Sequence, residues 1–129
     1  MTRQQHWSIV LLRVTVALQL MIHGITRIAI GGVGGFGGFL TDNHVPVGTV
    51  VAWLITGGEI LGGAALAAGF FVIPLSCVFA LELLMGIGLV HFREGWFVVG
   101  AGRNGMEYSV VLIAALVSIA LAHFSKKNQ

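Results

Sequence analysis

The sequence predicts an all-α fold, an integral membrane bundle of four helices. Hydrophobic residues make up 57% of the chain and charged residues 9%, and the mean hydropathy is +0.95. A soluble domain usually has about a quarter of its residues charged. Four segments come close to the roughly 20 apolar residues that a spanning helix needs. With 129 residues, we expect 1–129 to form a single transmembrane domain, with helices at about 8–28, 49–71, 74–91 and 106–123.

The first segment is apolar but carries several polar residues. Gln19, His23 and Arg27 recur at every fourth position, which places them on one face of a helix and favours a polar seam facing inward. Because the segment also contains Arg13 and lacks a small-residue cleavage site, we expect it to be retained as the first helix rather than removed as a signal peptide.

A glycine-rich connection follows at 31–48 and begins "GGVGGFGG". We expect a flexible or re-entrant loop between helices 1 and 2, because glycine disfavours helix formation. Gly32, Gly34 and Gly37 match the pattern G-x-G-x-x-G. The dinucleotide fingerprint also requires a preceding strand and an acid about 20 residues later. Neither is predicted here, so nucleotide binding is not expected, and the small net charge of +2 does not suggest nucleic acid.

The second and third segments are separated only by Val72 and Ile73. Pro74 suits the first turn of a new helix. A single kinked helix over both segments would far exceed the thickness of a bilayer, so we expect a tight hairpin. Four spans then place both termini on the same side of the membrane.

Positive charges do not decide which side that is, because the count is equal. The segments that flank membrane helices on the cytoplasmic side tend to carry more arginine and lysine than those on the other side. Three lie near the termini and three in the opposite loops: Arg3, Lys126 and Lys127, against Arg27, Arg93 and Arg103. Arg27 lies at a predicted helix end and is a candidate site residue. Without it, three charges near the termini stand against two in the loops, which favours cytoplasmic termini.

Two acids interrupt the second and third segments at similar distances from the expected hairpin. Glu59 and Glu82 would both lie near the middle of the bilayer, where a carboxylate needs a partner or a water-filled cavity. Arg13 is the basic residue best placed to reach that depth. We therefore predict a buried polar cluster of Arg13, Glu59 and Glu82. Its role is either to hold a ligand or proton, or only to fix the register of the helices.

Glycines around Glu59 predict a contact surface. Gly58 and Gly62 form a GxxxG pattern, and small residues at this spacing let another helix backbone approach closely. Packing accounts for these glycines but not for Glu59. The surface would accept another helix of the chain, a membrane protein partner or a second copy.

A second polar set is expected on the side away from the termini. Its members are candidates for ligand binding or proton relay, and they come from three helices: His23, Arg27, His91, Glu107 and Tyr108. His91 lies about 180° from Glu82 on a regular helix. One pocket that holds both would therefore require distortion at Gly86 and Gly88.

Glu107 also fits a simpler, structural role. With Asn104 as N-cap, Glu107 is close to the third position of a capping box, and an acid there suits the helix dipole. Nothing in the spacing of His23 and His91 favours haem, and no metal site is predicted.

Several short motifs together resemble the DoxX family: "LLRV" with Arg13, "HGITR" from His23, "GGEILGG" around Glu59, "HFREGWF" from His91 and "GRNGMEYS" through Glu107. The family comprises small bacterial proteins with four membrane helices, and the resemblance implies a location in the bacterial cytoplasmic membrane. Members more usually have lysine at the position of Arg27. The chain also lacks the CxxC pattern of disulfide-reducing relatives, since Cys77 is its one cysteine.

The resemblance implies a function only in outline. The family takes its name from subunits associated with a quinol oxidase and with a thiosulfate:quinone oxidoreductase. The first hypothesis is therefore a redox-associated or quinone-interacting subunit. The alternatives are a non-enzymatic accessory or assembly subunit of a larger membrane complex, and a transporter of protons or small solutes that uses the acids in the middle of the membrane.

Overall fold

The structure, a computed structural model, describes residues 1–99 and 104–129. Helix makes up 82% of it, and no strand occurs in these two ranges. The all-α fold class is confirmed. Arg103, one of the loop charges in the orientation count, lies outside the described residues. The helices are α1 (Arg3–Ala29), α2 (Val33–Asp42), α3 (Gly48–Ala68), α4 (Val72–Glu94) and α5 (Glu107–Lys127).

Four of the helices, α1, α3, α4 and α5, are long and apolar enough to cross a membrane. In the most apolar window of each helix, no more than 28% of the residues are buried inside the protein. Most of their apolar side chains therefore face outward, which is costly in water and favourable in lipid. The protein is a multi-pass membrane protein, as the composition predicts.

Helix α2 corrects the expectation of a glycine-rich loop. The segment VGGFGGFLTD is helical from Val33 to Asp42, although each glycine in a helix costs about 1 kcal/mol relative to alanine. Tertiary packing offsets that cost on one face, where Val33, Gly37 and Leu40 are buried. Composition alone predicts the wrong structure here, because propensity is overridden where a helix packs closely against a neighbour.

The close contact between α2 and α3 depends on two glycines. A Cβ atom at Gly37 would lie 2.7 Å from the Cα of Thr49. A Cβ atom at Gly48 would collide with the side-chain oxygen of Thr41. Because backbone meets backbone, neither position can accept a side chain without moving a helix.

Between α3 and α4 the chain breaks its helix in three residues. Gly69 caps α3 with a φ of 90°, a left-handed conformation that glycine adopts at little cost. Phe71, with a φ of 51°, precedes the first residue of α4. Pro74 lies in the first turn of α4, as predicted. Two separate helices are confirmed in place of one kinked helix, and the hairpin stays a prediction.

Helix α4 contains one π-helical turn, Ile87–His91. A π turn holds an extra residue, so later side chains are rotated back by about 100° relative to a regular helix. His91 is then about 80° from the face of Glu82 instead of about 180°. The π turn is thus a distortion of the kind that a shared pocket for Glu82 and His91 would require near Gly86 and Gly88.

The chain forms two compact units. One comprises Met1–Val16 and Phe71–Gln129, and we call it the terminal unit. The other comprises Ala17–Phe70, and we call it the central unit. Leu116 and Ile119 of α5 are fully buried, as is Leu66 in the central unit.

Candidate functional site

An ion pair lies inside the central unit. The Nη1 atom of Arg27 is 3.1 Å from Oε2 of Glu59, and its Nη2 atom is 3.5 Å from Oε1. The two side chains are 20% and 6% exposed, respectively. Two nearly parallel contacts between a guanidinium and a carboxylate give both attraction and a fixed orientation. Glu59 therefore has its counter-charge, which is why a carboxylate is tolerated within α3.

Two further side chains complete the surroundings of Arg27. Its Nη1 atom donates a hydrogen bond of 3.0 Å to the hydroxyl oxygen of Thr56. The Thr56 hydroxyl in turn donates to the carbonyl of Ala52, at 2.7 Å. The ring of Phe36 lies against the guanidinium, with 4.6 Å from Cζ to the ring centroid. Such a cation–π contact is favourable when the cation is desolvated. Arg27 thereby connects α1, α2 and α3.

A glycine lets α1 come close enough for this pair. A Cβ atom at Gly24 would lie 2.9 Å from the carbonyl oxygen of Thr56 and 3.3 Å from Cβ of Glu59. One turn further along α1, Arg27 is level with the carboxylate. Gly63, nearer the other end of α3, also lets α1 approach closely. An added Cβ atom there would lie 2.6 Å from Cγ of Met21.

This arrangement joins two residues that the sequence assigns to separate sets. The sequence pattern groups Arg27 with His23 and His91, and Glu59 with Arg13. In the structure Arg27 lies in the last turn of α1 and is the partner of Glu59. The pairing of Arg13 with Glu59 or Glu82 stays a prediction.

In the terminal unit, Arg13 contacts a histidine that the sequence does not single out. Its Nη1 atom is 3.2 Å from Nε2 of His123, while Nδ1 of His123 is 3.0 Å from the carbonyl oxygen of Ile119. Since a carbonyl can only accept, Nδ1 carries the proton and Nε2 accepts from Arg13. His123 is thus a neutral acceptor between α1 and α5.

His91 is also oriented by a backbone carbonyl. Its Nδ1 atom is 2.8 Å from the carbonyl oxygen of Asn104, so Nδ1 is the donor in this bond. A ring fixed through Nδ1 presents Nε2 as its reactive atom, which in the neutral form is an acceptor. The ring edge packs over Gly86, where an added Cβ atom would lie 3.8 Å from Cδ2.

Glu107 anchors the segment that precedes α5. Its Oε1 atom accepts hydrogen bonds of 2.7 Å from the backbone N–H groups of both Val98 and Val99. Its own N–H donates to the carbonyl of Trp96, at 3.0 Å. An added Cβ atom at Gly105 would lie 2.6 Å from that same carbonyl oxygen. The segment around Trp96 is therefore held against the start of α5.

The capping box predicted with Asn104 as N-cap is wrong, because the helix begins two residues later. The N-cap of α5 is Met106, with Glu107 as the first helical residue, and no side chain caps the helix. Asn104 contributes its carbonyl to His91 instead. An acid in the first turn still suits the positive end of the helix dipole.

The five candidate residues are divided between the two units. His23 and Arg27 belong to the central unit, and His91, Glu107 and Tyr108 to the terminal unit. His23 is exposed on α1, as is Gln19, so the predicted inward-facing seam is wrong at these positions. Tyr108 is exposed as well. Convergence of all five residues in one pocket stays a prediction.

Among the described residues, no three side chains of the types that bind metal ions come together. Cys77 is free and exposed on α4. Sequence reasoning misses four residues of these contacts: Gly24, Phe36, Thr56 and His123. Thr56 offers a signal, because it lies three residues before Glu59 on the same helical face. The other three become apparent only once the helices are packed.

Comparison with known proteins supports the sequence resemblance. A search of curated proteins gave no match, and a search of solved structures gave none either. The model of the DoxX family matches residues 8–92, which is more than half of the chain and includes Arg13, Arg27, Glu59 and His91. The protein, a multi-pass membrane protein whose central charges pair as Arg27 and Glu59, therefore belongs to the DoxX family.

Proposed function

We propose that this protein is a redox-associated membrane subunit that binds a quinone or quinol head group at His91. The observation that carries the proposal is the orientation of the imidazole. With Nδ1 bonded to the carbonyl of Asn104, Nε2 of the neutral ring accepts a hydrogen bond from a quinol hydroxyl. The same nitrogen takes up one of the two protons that the quinol releases on oxidation, and the second leaves to bulk water.

Neighbouring features support this choice of residue. A π-helical turn carries His91, and such turns occur frequently at functional sites. Glu107 restrains the segment that bears Trp96, whose side chain is exposed. An exposed aromatic ring five residues along the chain from an oriented histidine suits a flat, apolar head group. The two electrons would pass to an associated redox protein, while this chain binds the head group and accepts one of its protons at His91.

A photoreactive quinone analogue tests the proposal. Full-length protein in lipid nanodiscs is labelled, digested and mapped by mass spectrometry. We expect labels between residues 91 and 108. We also expect labelling of His91→Gln to be weaker by up to about tenfold, because glutamine lacks the ring nitrogen that the bond to Asn104 orients as an acceptor.

His6→Gln is the control, because His6 is an exposed histidine of the same terminal unit. It should label like the wild type. Equal labelling of His91→Gln and wild type would contradict the proposal.

A second candidate function is that of an accessory subunit that docks to another membrane protein. The observation that favours it is the open space beside α3. A Cβ atom at Gly57 or Gly58 would meet nothing within 4 Å, although Gly63 of the same helix is closely packed. Open glycines on a membrane helix permit close approach of another helix.

Crosslinking in native membranes, followed by purification, distinguishes the two candidates. A stoichiometric protein partner that is lost in Gly58→Leu would support the accessory role. Recovery of the same partner with this variant would contradict it. Quinone in the lipid extract would support the first function.

A further inference from the structure

The ends of α1 and α5 in the terminal unit carry basic side chains and no acidic ones. Arg3, Lys126 and Lys127 are all exposed. The first acidic residue of the chain is Asp42 and the last is Glu107. These three cations are therefore far along the chain from any carboxylate side chain. No acidic neighbour in the chain offsets their charge.

The contact between Arg13 and His123 relates the two helix ends. At 3.2 Å, it fixes the first part of α1 beside the last part of α5. Arg3 lies about 15 Å along α1 from Arg13, and Lys127 about 6 Å along α5 from His123, at 1.5 Å per residue. Four spans place both of these ends on the same side of the membrane. The three cations then form one basic surface.

Exposed aromatic side chains accompany this charge. Trp7 is 59% exposed and Phe124 is 57% exposed. The Trp7 ring meets that of His6 edge-on, with 5.9 Å between centroids. Tryptophan prefers the boundary between hydrocarbon and headgroups, because its ring is apolar and its N–H is polar. Trp7 thus marks the level of the lipid headgroups on this side.

We propose that Arg3, Lys126 and Lys127 form a binding surface for the headgroups of anionic phospholipids. Charge complementarity supports this occupant, and the aromatic side chains place the cations at headgroup depth. Each basic residue near an anionic membrane surface contributes about 1 kcal/mol, or roughly a fivefold change in affinity. Arg93, by comparison, has Glu94 as its immediate neighbour in the chain, so its field is partly cancelled.

Native mass spectrometry of the full-length protein tests the surface. Protein in neutral detergent is titrated with phosphatidylglycerol or with phosphatidylcholine, and retained lipid is counted. We expect selective retention of phosphatidylglycerol. We expect a loss on the order of 100-fold in its affinity for the triple variant Arg3→Gln, Lys126→Gln, Lys127→Gln.

Two controls separate charge from folding. The triple variant Arg3→Lys, Lys126→Arg, Lys127→Arg keeps the charge and should retain the lipid. Arg93→Gln should lose no more than a few fold. Each of three results would overturn the proposal: unchanged binding by the glutamine variant, an equal loss in Arg93→Gln, or competition by inorganic phosphate at the same concentration as the lipid.

Discussion

The ion pair of the central unit and the histidine of the terminal unit use polar side chains in opposite ways. Arg27 and Glu59 satisfy each other, with Thr56 and Phe36 filling the remaining contacts. His91 instead bonds to a backbone carbonyl through one nitrogen. A buried charge that already has its partner needs no ligand to neutralise it.

This difference suggests how ionisable residues in membrane helices are best interpreted. An acid within a span is usually regarded as a functional residue. We propose that Glu59 is instead a structural residue, because its charge is matched by Arg27 within the unit. His91, near the end of α4, has its ring oriented through Nδ1, and we propose that its Nε2 atom is the acceptor for a ligand. We expect the two regions to respond differently to substitution.

The largest effect is expected from breaking the ion pair. Arg27→Leu leaves the Glu59 carboxylate, 6% exposed, without its counter-charge. Loss of one partner of a buried pair costs about 3–5 kcal/mol. Thermal or denaturant unfolding in detergent measures this. The double variant Arg27→Leu, Glu59→Gln should recover part of the loss, whereas additive losses would show that the pair is not coupled.

A smaller effect is expected at the anchor of the terminal unit. Glu107→Ala leaves the N–H groups of Val98 and Val99 without their acceptor. Hydrogen bonds to a charged group contribute about 1.5–3 kcal/mol, so exchange of these two amides should quicken by roughly 10- to 100-fold. Hydrogen–deuterium exchange reports it. Glu94→Ala, at an exposed acid, should leave the rates unchanged, and equal rates in both variants would disprove the anchor.

Two glycines of α2 should respond with opposite signs. Gly37→Ala forces a Cβ atom to 2.7 Å from Thr49 Cα, and overpacking of this kind costs about 1–3 kcal/mol. Gly38→Ala meets nothing within 4 Å and should stabilise the helix by up to about 1 kcal/mol. Unfolding midpoints measure both variants. If α2 were a loop, the two substitutions would have similar effects.

Only a small loss of stability is expected at His91. His91→Gln removes one hydrogen bond, to the carbonyl of Asn104, which contributes about 0.5–1.5 kcal/mol. Unfolding in detergent should therefore change little, in contrast to Arg27→Leu. A loss as large as that of Arg27→Leu would mean that His91 is part of the structural core rather than a binding residue.

The spans could be predicted because a run of about 20 apolar residues rarely occurs outside a membrane helix. The start of α4 near Pro74 followed from the fixed φ of proline. Helix α2 could not be predicted, since the packing that stabilises it brings Gly37 against Thr49, and glycine content alone favours a loop. The partner of Glu59 could not be predicted either, because the close approach of α1 at Gly24 is visible only in three dimensions.

The most direct test of the difference between His91 and the Arg27–Glu59 pair measures ligand affinity and stability in the same two variants. A fluorescent quinone analogue is titrated into nanodiscs that contain either His91→Gln or the double variant Arg27→Leu, Glu59→Gln, and unfolding is followed in parallel. If His91 binds the ligand and the Arg27–Glu59 pair is structural, binding should be about tenfold weaker in His91→Gln, with stability within about 1.5 kcal/mol of wild type. The double variant should keep its affinity and lose stability. Weaker binding in the double variant, together with wild-type binding in His91→Gln, would contradict these two roles.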